Sequence, residues 1–362
     1  MFKDLNPAED TITTQVTVTN GFFDGGVGTV NGNTVIGHGG GNITTSSLST
    51  TQKKYYYNLQ YNSKDHLSVT YGHIAGSGSD DESATTEGTT QAIYKQFYNF
   101  LEPKAEHLRD RTGFIMNAVT QSDCYFIVAE RLQMKDRINP GTFTLTFSGS
   151  ITGLGNKATS SAFSLTDDSK TQDPLTPGSP FGEVYSIVSG AAGAVHTPAA
   201  TKTYGHFYPD AGIMVFSANA LSSSLPGTKG FIQSGSGFAK SGTVGNGLAP
   251  DIRVTSAADN ANKIRIALQK GSVTLRSEEQ QYIFDHFCRA RANEYNLSQN
   301  ITFWSGSNYT IRHGDMVSNP QTFISEVGLY DEQNSLLAIG RLSSPINKNF
   351  SSEAIVKVRL TY

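Results

Sequence analysis

QTFISEVGLYDEQNSLLAIGRL, residues 321–342, decides the fold. Two apolar runs, Phe323 to Tyr330 and Leu336 to Leu342, flank the polar tetrapeptide Asp331-Glu332-Gln333-Asn334. Runs of that length on either side of a four-residue polar break spell a β-hairpin. Downstream, Ser344-Pro345 marks a short crossing segment, and Ala354 to Leu360 makes a final strand. Strand geometry sends alternate side chains to opposite faces. Val356, Val358 and Leu360 therefore form a core face, and Ile355, Lys357 and Arg359 face solvent or a partner.

Working outward, strand patterns dominate. Residues 55–74 alternate aromatic and aliphatic side chains through Tyr55, Tyr57, Leu59, Tyr61, Leu67, Val69 and Tyr71. Further strands are expected at about 113–131, 142–149, 183–189 and 212–218, with Asn139-Pro140-Gly141 as a turn. Residues 1–20 alternate weakly at Ile12, Val16 and Val18, as an edge strand or extended arm would. Two helices are expected. One spans about 90–109, with Ile93, Phe97, Phe100, Leu101 and Leu108 on one face and a kink at Pro103. The other spans about 277–293, opened by a capping box of Ser277 and Gln280 with Ile283, Phe284, Phe287 and Ala290 as its apolar face. Glycine-rich and serine-rich segments at 21–50, 76–89 and 219–250 bury little and cost much entropy to order, so the first is expected to gain its order from a neighbour.

The pattern defines an α+β chain, β-dominated, with sandwich-like sheets, two packed helices and long Gly/Ser-rich loops or arms. The expected regions are an N-terminal arm and loop (1–54), a β-rich region with one helix (55–150), a loop-rich β insertion (151–250), and a helix with a C-terminal antiparallel sheet (251–362).

Composition narrows the function. The 362 residues are 37% hydrophobic and only 16% charged, with 36 glycines, against about a quarter charged in ordinary globular chains. Short neutral side chains suit close contact with neighbouring subunits and give little protection against association. A net charge of −3, and Arg109-Asp110-Arg111 as the densest basic run, exclude a nucleic-acid grip. Cys124 and Cys288 are too few for a disulfide framework and are expected as reduced thiols in a reducing cytoplasm. The start of the chain lacks a signal-peptide apolar region, and no apolar run reaches about 18 residues, so neither a cleaved signal nor membrane insertion is expected.

No catalytic constellation is present. His38-Gly39-Gly40-Gly41 has the look of an oxyanion-hole segment, but no Gly-x-Ser-x-Gly nucleophile elbow accompanies it. Neither phosphate-binding glycine motif occurs. His66 and His73, seven apart, fall on opposite faces of a continuous strand. His286 and Cys288 would point about 200° apart on a helix. Asp167-Asp168-Ser169, continuing to Asp173, lacks the ligand alternation and central glycine of a calcium loop. Asp80-Asp81-Glu82 is a solvated acidic turn. The expectation is no enzyme, no catalytic or cofactor-binding residue, no metal and no cofactor.

A resemblance sharpens this. Glu326-Val327-Gly328-Leu329-Tyr330-Asp331 followed by Leu337-Ala338-Ile339-Gly340-Arg341-Leu342 resembles a recurrent element of phage baseplate and tail-fibre-associated proteins. From about Tyr55 onward the chain is similar to virion structural proteins of T4-like contractile-tailed phages, especially those infecting marine cyanobacteria. Tyr204-Gly205-His206-Phe207-Tyr208-Pro209-Asp210-Ala211-Gly212-Ile213, Arg276-Ser277-Glu278-Glu279 and the close from Phe350 to Tyr362 carry it. The ending resembles that of a baseplate wedge subunit; residues 1–50 match nothing in this family. The resemblance implies a structural subunit of the virion tail or baseplate, assembled in the host cytoplasm. Its partners would be other virion subunits in a homo- or hetero-oligomer, with no nucleic acid bound. A neck, collar, capsid-decoration or fibre-adaptor protein is the alternative within that class. A carbohydrate-binding adhesin or depolymerase, with Tyr55, Tyr56, Tyr57 and Trp304 stacking on sugars, is the alternative outside it.

Overall fold

Every strand pair with a defined register in the computed structural model is antiparallel, as short turns between short strands require. The structure describes residues 3–31, 43–44, 55–76, 89–102, 113–147, 163–175, 178–222, 261, 264–265, 267–268, 271–298 and 300–362. His38 to Gly41, Asp80 to Glu82, Leu108 to Arg111 and most of the expected loops at 76–89 and 219–250 lie outside them. The strands are β1 (Thr11–Gly21), β2 (Thr29–Asn31), β3 (Tyr57–Tyr61), β4 (Lys64–His73), β5 (Ile115–Met116), β6 (Val119–Thr120), β7 (Asp123–Ala129), β8 (Arg137–Ile138), β9 (Thr144–Phe147), β10 (Phe163–Asp167) and β11 (Tyr185–Ala191). They continue with β12 (Ala194–Thr197), β13 (Gly205–Tyr208), β14 (Ile213–Ser217), β15 (Ser272–Thr274), β16 (Arg276–Ala290), β17 (Trp304–Ser305), β18 (Thr310–Ile311), β19 (Thr322–Tyr330), β20 (Leu336–Lys348) and β21 (Ala354–Thr361). The fold is thus a β-dominated α+β one. It divides into two compact units, Val18–Glu279 and Met1–Thr17 with Gln280–Tyr362.

The larger unit is built on one sheet in the order β2-β15-β9-β10-β11-β13-β14-β7-β4-β3, with β12 attached to β11. Alternation sorts its side chains cleanly. Tyr125, Ile127, Met214, Phe216, Val69 and Tyr71 point to one face and join a single buried cluster with residues from β9, β10 and β15. Cys124, Phe126, Ile213 and Val215 point to the other. The first face closes on itself. Phe143, just before β9, meets Phe207 of β13 with ring centroids 4.9 Å apart, and Phe147 meets Phe216 of β14 at 6.3 Å. β9 and β14 are four strands apart in the sheet, roughly 19 Å if it were flat. The sheet therefore curls until inward side chains from distant strands touch. Phe22 and Phe23 sit in the same core: the Phe22 amide donates to the Leu275 carbonyl beside β15, and the Phe23 ring lies 6.0 Å from Tyr61 of β3. Residues 21–31 are thus ordered by their own chain, which corrects the expectation of a neighbour for that part of 21–50; residues 32–42 and 45–50 lie outside the described residues.

The outer face is covered by the helix Thr89–Leu101. Its Phe97 ring stacks on Phe126 at 4.2 Å. Gly72 of β4 permits the approach, since a Cβ there would lie 2.9 Å from the Tyr94 amide nitrogen. Tyr94 Oη donates to the Gln121 carbonyl and accepts from the Phe114 amide, at 2.6 and 2.9 Å. The helix stops at Leu101, two residues before Pro103, where proline disfavours helical geometry in the residue it follows.

In the smaller unit the second expected helix is a strand. β16 runs fifteen residues, and from Ile283 to Ala290 it pairs with β21 in eight consecutive steps. Glutamate, glutamine and near-helical apolar spacing favour a helix locally, but hydrogen-bonding edges on both sides override that preference. Ser277 and Gln280 accordingly cap nothing: Ser277 Oγ donates to the Asn20 carbonyl (3.5 Å), and Gln280 Oε1 accepts from Gln15 Nε2 (2.6 Å).

β19 and β20 form the expected hairpin. Its loop is one residue longer than the quoted tetrapeptide, closed by the Asp331 amide on the Ser335 carbonyl with Asn334 at φ 63°. Gly340 on its inner face lies within about 3.6 Å of Val358, counted from the position of a Cβ, and Leu329 and Val356 are buried beneath. Core and basic faces of β21 fall as the alternation predicts: Val356 is buried, Val358 and Leu360 half-buried, and Ile355, Lys357 and Arg359 exposed.

Lys348, at the end of β20, is fully buried. Its ammonium donates to the Ala292 carbonyl, Asn296 Oδ1 and the Asn349 carbonyl at 3.1, 2.7 and 2.9 Å. Three oxygens satisfy three N–H groups and tie segment 292–296 to the hairpin base. Lys348→Met leaves those acceptors without a donor, and denaturant titration should show a loss of about 3 kcal/mol.

Candidate functional site

Polar groups buried in the larger unit serve as fasteners. His66 donates from Nδ1 to the Lys64 carbonyl and accepts the Asp24 amide at Nε2, at 2.8 and 3.1 Å. It turns among Phe22, Phe23 and Tyr61 where the register between β3 and β4 slips. The slip makes His66 an extra residue within β4, so strict alternation does not set His66 and His73 on opposite faces as expected. His73, at the other end of the strand, has Nε2 3.3 Å from Asp123 Oδ1, which also accepts from Tyr71 Oη at 2.7 Å. The strand geometry of β16 puts His286 and Cys288 on the same face, which corrects their helical separation. His286 Nδ1 lies 3.1 Å from Thr11 Oγ1.

The acidic run is structural as well. Asp167 accepts the Gly141 amide and the Ser169 hydroxyl, and Asp168 accepts the Ser186 amide at 3.0 Å. Burial raises both carboxyl pKa values. Arg137 gathers Glu278 at 3.1 Å, Glu183 at 3.2 Å and Asp210 at 3.9 Å. Among the described residues no group of three or more His, Cys, Asp and Glu is placed to hold a metal.

One cleft, of about 420 Å³, opens between the helix Thr89–Leu101, the β5–β6 hairpin and β13. Tyr98, Glu102, Asn117, Ser186, His206 and Tyr208 contribute its polar lining. Tyr208 Oη donates to Glu102 Oε1 at 2.9 Å. His206 and Tyr208 share the outer face of β13, and Ser186 lies opposite His206 on β11. Desolvation pushes the imidazole pKa from 6.5 down to about 4, so the ring is neutral near pH 7.

The other candidate is the outer face of the β19–β20 hairpin. Tyr330, Leu336, Leu337 and Ile339 are 45%, 47%, 67% and 53% exposed. The Tyr330 ring and Leu336 pack over Gly328, where a Cβ would lie 2.9 and 3.3 Å from them. Glu326 and Arg341 neutralise each other at 3.4 Å beside this patch. Isolated two-stranded hairpins are marginal in water, and a contiguous exposed aliphatic and aromatic face marks an interaction surface. On the adjoining sheet Asp285 accepts both Arg359 Nε and Nη2, at 2.8 and 3.0 Å, and Lys357 at 2.7 Å. Those two cations hold the Asp285 carboxyl well below the usual carboxylate range, and its single charge offsets one of their two.

The aromatic residues expected on the surface are distributed unevenly. Tyr55 is 48% exposed, while Tyr56 and Tyr57 are half-buried, Tyr57 against the core. Trp304 is half-buried, donating Nε1–H to the Ser298 carbonyl at 2.8 Å, and its ring meets Tyr309, itself 74% exposed, at 6.4 Å. Sequence reasoning did not single out His206 or Lys348. The alternation of His206 with Tyr208 was the one available sign of a shared face.

The chain matches no protein-family model, no curated protein and no solved structure. No helix among the described residues is long and apolar enough to cross a membrane.

The buried imidazole sets a pH dependence. An unfolded His206 binds its proton near pH 6.5, the folded one only near 4. Between those values the unfolded state holds more protons, so stability is full above about pH 6.5 and falls as the pH drops toward 4. Urea midpoints across that range should decline in the native chain, and less steeply in His206→Gln. The difference between the two isolates the ring from Asp167, Asp168 and Asp210, whose carboxyl pKa values burial raises.

Proposed function

We propose that this protein is a structural subunit of a tailed-phage virion, most simply a baseplate wedge component of a contractile tail. It acts by holding neighbouring subunits rather than by catalysis. The observation that carries the reading is the hairpin face of Tyr330, Leu336, Leu337 and Ile339. It coincides with the very stretch, Glu326 to Leu342, that resembles phage baseplate and tail-fibre-associated proteins. A low-charge chain with an exposed apolar hairpin is suited to permanent burial against another subunit. Neck, collar, capsid-decoration and fibre-adaptor roles would use the same surface at another place in the particle, assembled in the host cytoplasm.

A second reading, a carbohydrate-binding adhesin or depolymerase, draws on the exposed Tyr309 beside Trp304. Aromatic faces of that kind can stack on sugar rings.

Quantitative mass spectrometry of separated tails and heads tests the first reading. The chain is expected in the tail fraction at a fixed ratio to other tail subunits. Leu337→Glu combined with Ile339→Lys should cut its incorporation at least tenfold while the isolated protein still folds. Recovery with heads alone would move the protein out of the tail, and absence from particles would end the virion reading. Glycan-array binding lost in Tyr309→Ala would favour the adhesin instead.

A further inference from the structure

β1 is an edge strand of its sheet among the described residues. It lies beside β16, with Thr11 against His286 and Gln15 against Gln280, so the two strands run in opposite directions. Its other edge pairs with no strand among the described residues. None of its eleven residues is buried, none is charged, and eight are β-branched. Natural sheets protect such edges with lysine, proline, bulges or brevity. The opposite edge of this sheet, β21, carries Lys357 and Arg359, and β1 carries none of these devices between Thr11 and Thr17.

The order of residues identifies what would fit. A two-fold axis perpendicular to the sheet keeps each face on its own side, so only registers that oppose even-numbered with even-numbered residues are allowed. Centred on Thr14, such a pairing sets Thr11 against Thr17, Ile12 against Val16 and Thr13 against Gln15, with Thr14 meeting its own copy. Ile12 opposes Val16, and Thr11 and Thr14 oppose threonines, combinations that stabilise antiparallel pairs; Thr13 opposes the uncharged Gln15. Ile12 and Val16 are 54% and 37% exposed, and this register covers each with the other. No like charges are brought together, because the strand has none.

We infer that β1 pairs antiparallel with β1 of a second copy of this chain, centred on Thr14, to give a symmetric dimer whose two sheets join into one. The pairing is a property of the strand and does not rest on the virion reading. It can therefore be tested on the purified full chain, whatever becomes of that reading.

Sedimentation equilibrium over a concentration series should give a dimer for the native chain. Thr14→Lys and Thr14→Asp each place like charges face to face and should weaken dimerisation at least ~10-fold. An equimolar mixture of the two should restore it, because lysine then faces aspartate. A native chain that stays monomeric, or a dimer indifferent to both substitutions, would overturn the inference. Circular dichroism checks that each variant folds. Should either fail to, Thr14→Cys replaces it: oxidised glutathione should yield a reducible covalent dimer beyond any formed through Cys124 and Cys288. Its absence would overturn the inference equally.

Discussion

Phe143 touching Phe207 and Phe147 touching Phe216 state the constraint on which the larger unit depends. Strands of four to ten residues, each with large apolar side chains on its inner face, cannot bury that face as a flat sheet without a second layer. Curling makes the inner face its own partner, so β9, β10, β11, β13, β14, β7 and β4 share one core. The remainder of the unit follows. Phe22 and Phe23 occupy the space approached by both edges, and the outer face needs only local cover. The helix Thr89–Leu101 covers β4 and β7, and the cleft lies where that cover ends near β13.

Strand positions were legible because alternation survives in the sequence wherever one side chain goes inward and the next outward. Phe143 to Phe147 shows it, Cys124 to Ala129 and Ile213 to Phe216 read instead as short apolar runs buried on both faces, and Asn139-Pro140-Gly141 marks a turn with Gly141 at φ 75°. The hairpin at 321–342 was legible for the same reason, and so were the two faces of β21. β16 was not. Its two faces are neither fully buried nor fully open, so apolar and polar residues mix at both periods, and its conformation is decided by β1 and β21, which lie more than sixty residues away along the chain in either direction. Phe22-Phe23 was lost among glycines, because the cavity that takes the two rings is made by strands remote in sequence. Lys348 and His206 illustrate a further limit: a lone polar residue gains its role from neighbours that no local pattern names.

Charge is handled internally in the smaller unit. Asp285 pairs with both Lys357 and Arg359, Glu326 faces Arg341, Lys3 faces Glu294 at 2.7 Å, and Lys348 is turned inward to neutral oxygens. On β1 and on the outer face of the β19–β20 hairpin the exposed surface is mainly threonine, aliphatic and aromatic. Surfaces of that kind associate through backbone hydrogen bonds and apolar contact, forces that salt screens little.

Such association raises the problem of selectivity. A bare strand edge offers the same N–H and C=O groups to any extended chain, and long-range charge gives no discrimination here. Selectivity must therefore come from the two-residue period of the side chains. On β1 that period is nearly palindromic about Thr14, which favours the strand itself over an unrelated partner. On the hairpin it is not: Tyr330 and Leu336 fold over Gly328 on one side, while Gly340 is held close to Val358 on the other. The hairpin thus presents one shaped apolar face and no equivalent second one. A surface of that asymmetry suits a different partner from the one that suits β1, so the smaller unit carries one self-complementary edge and one surface with a direction.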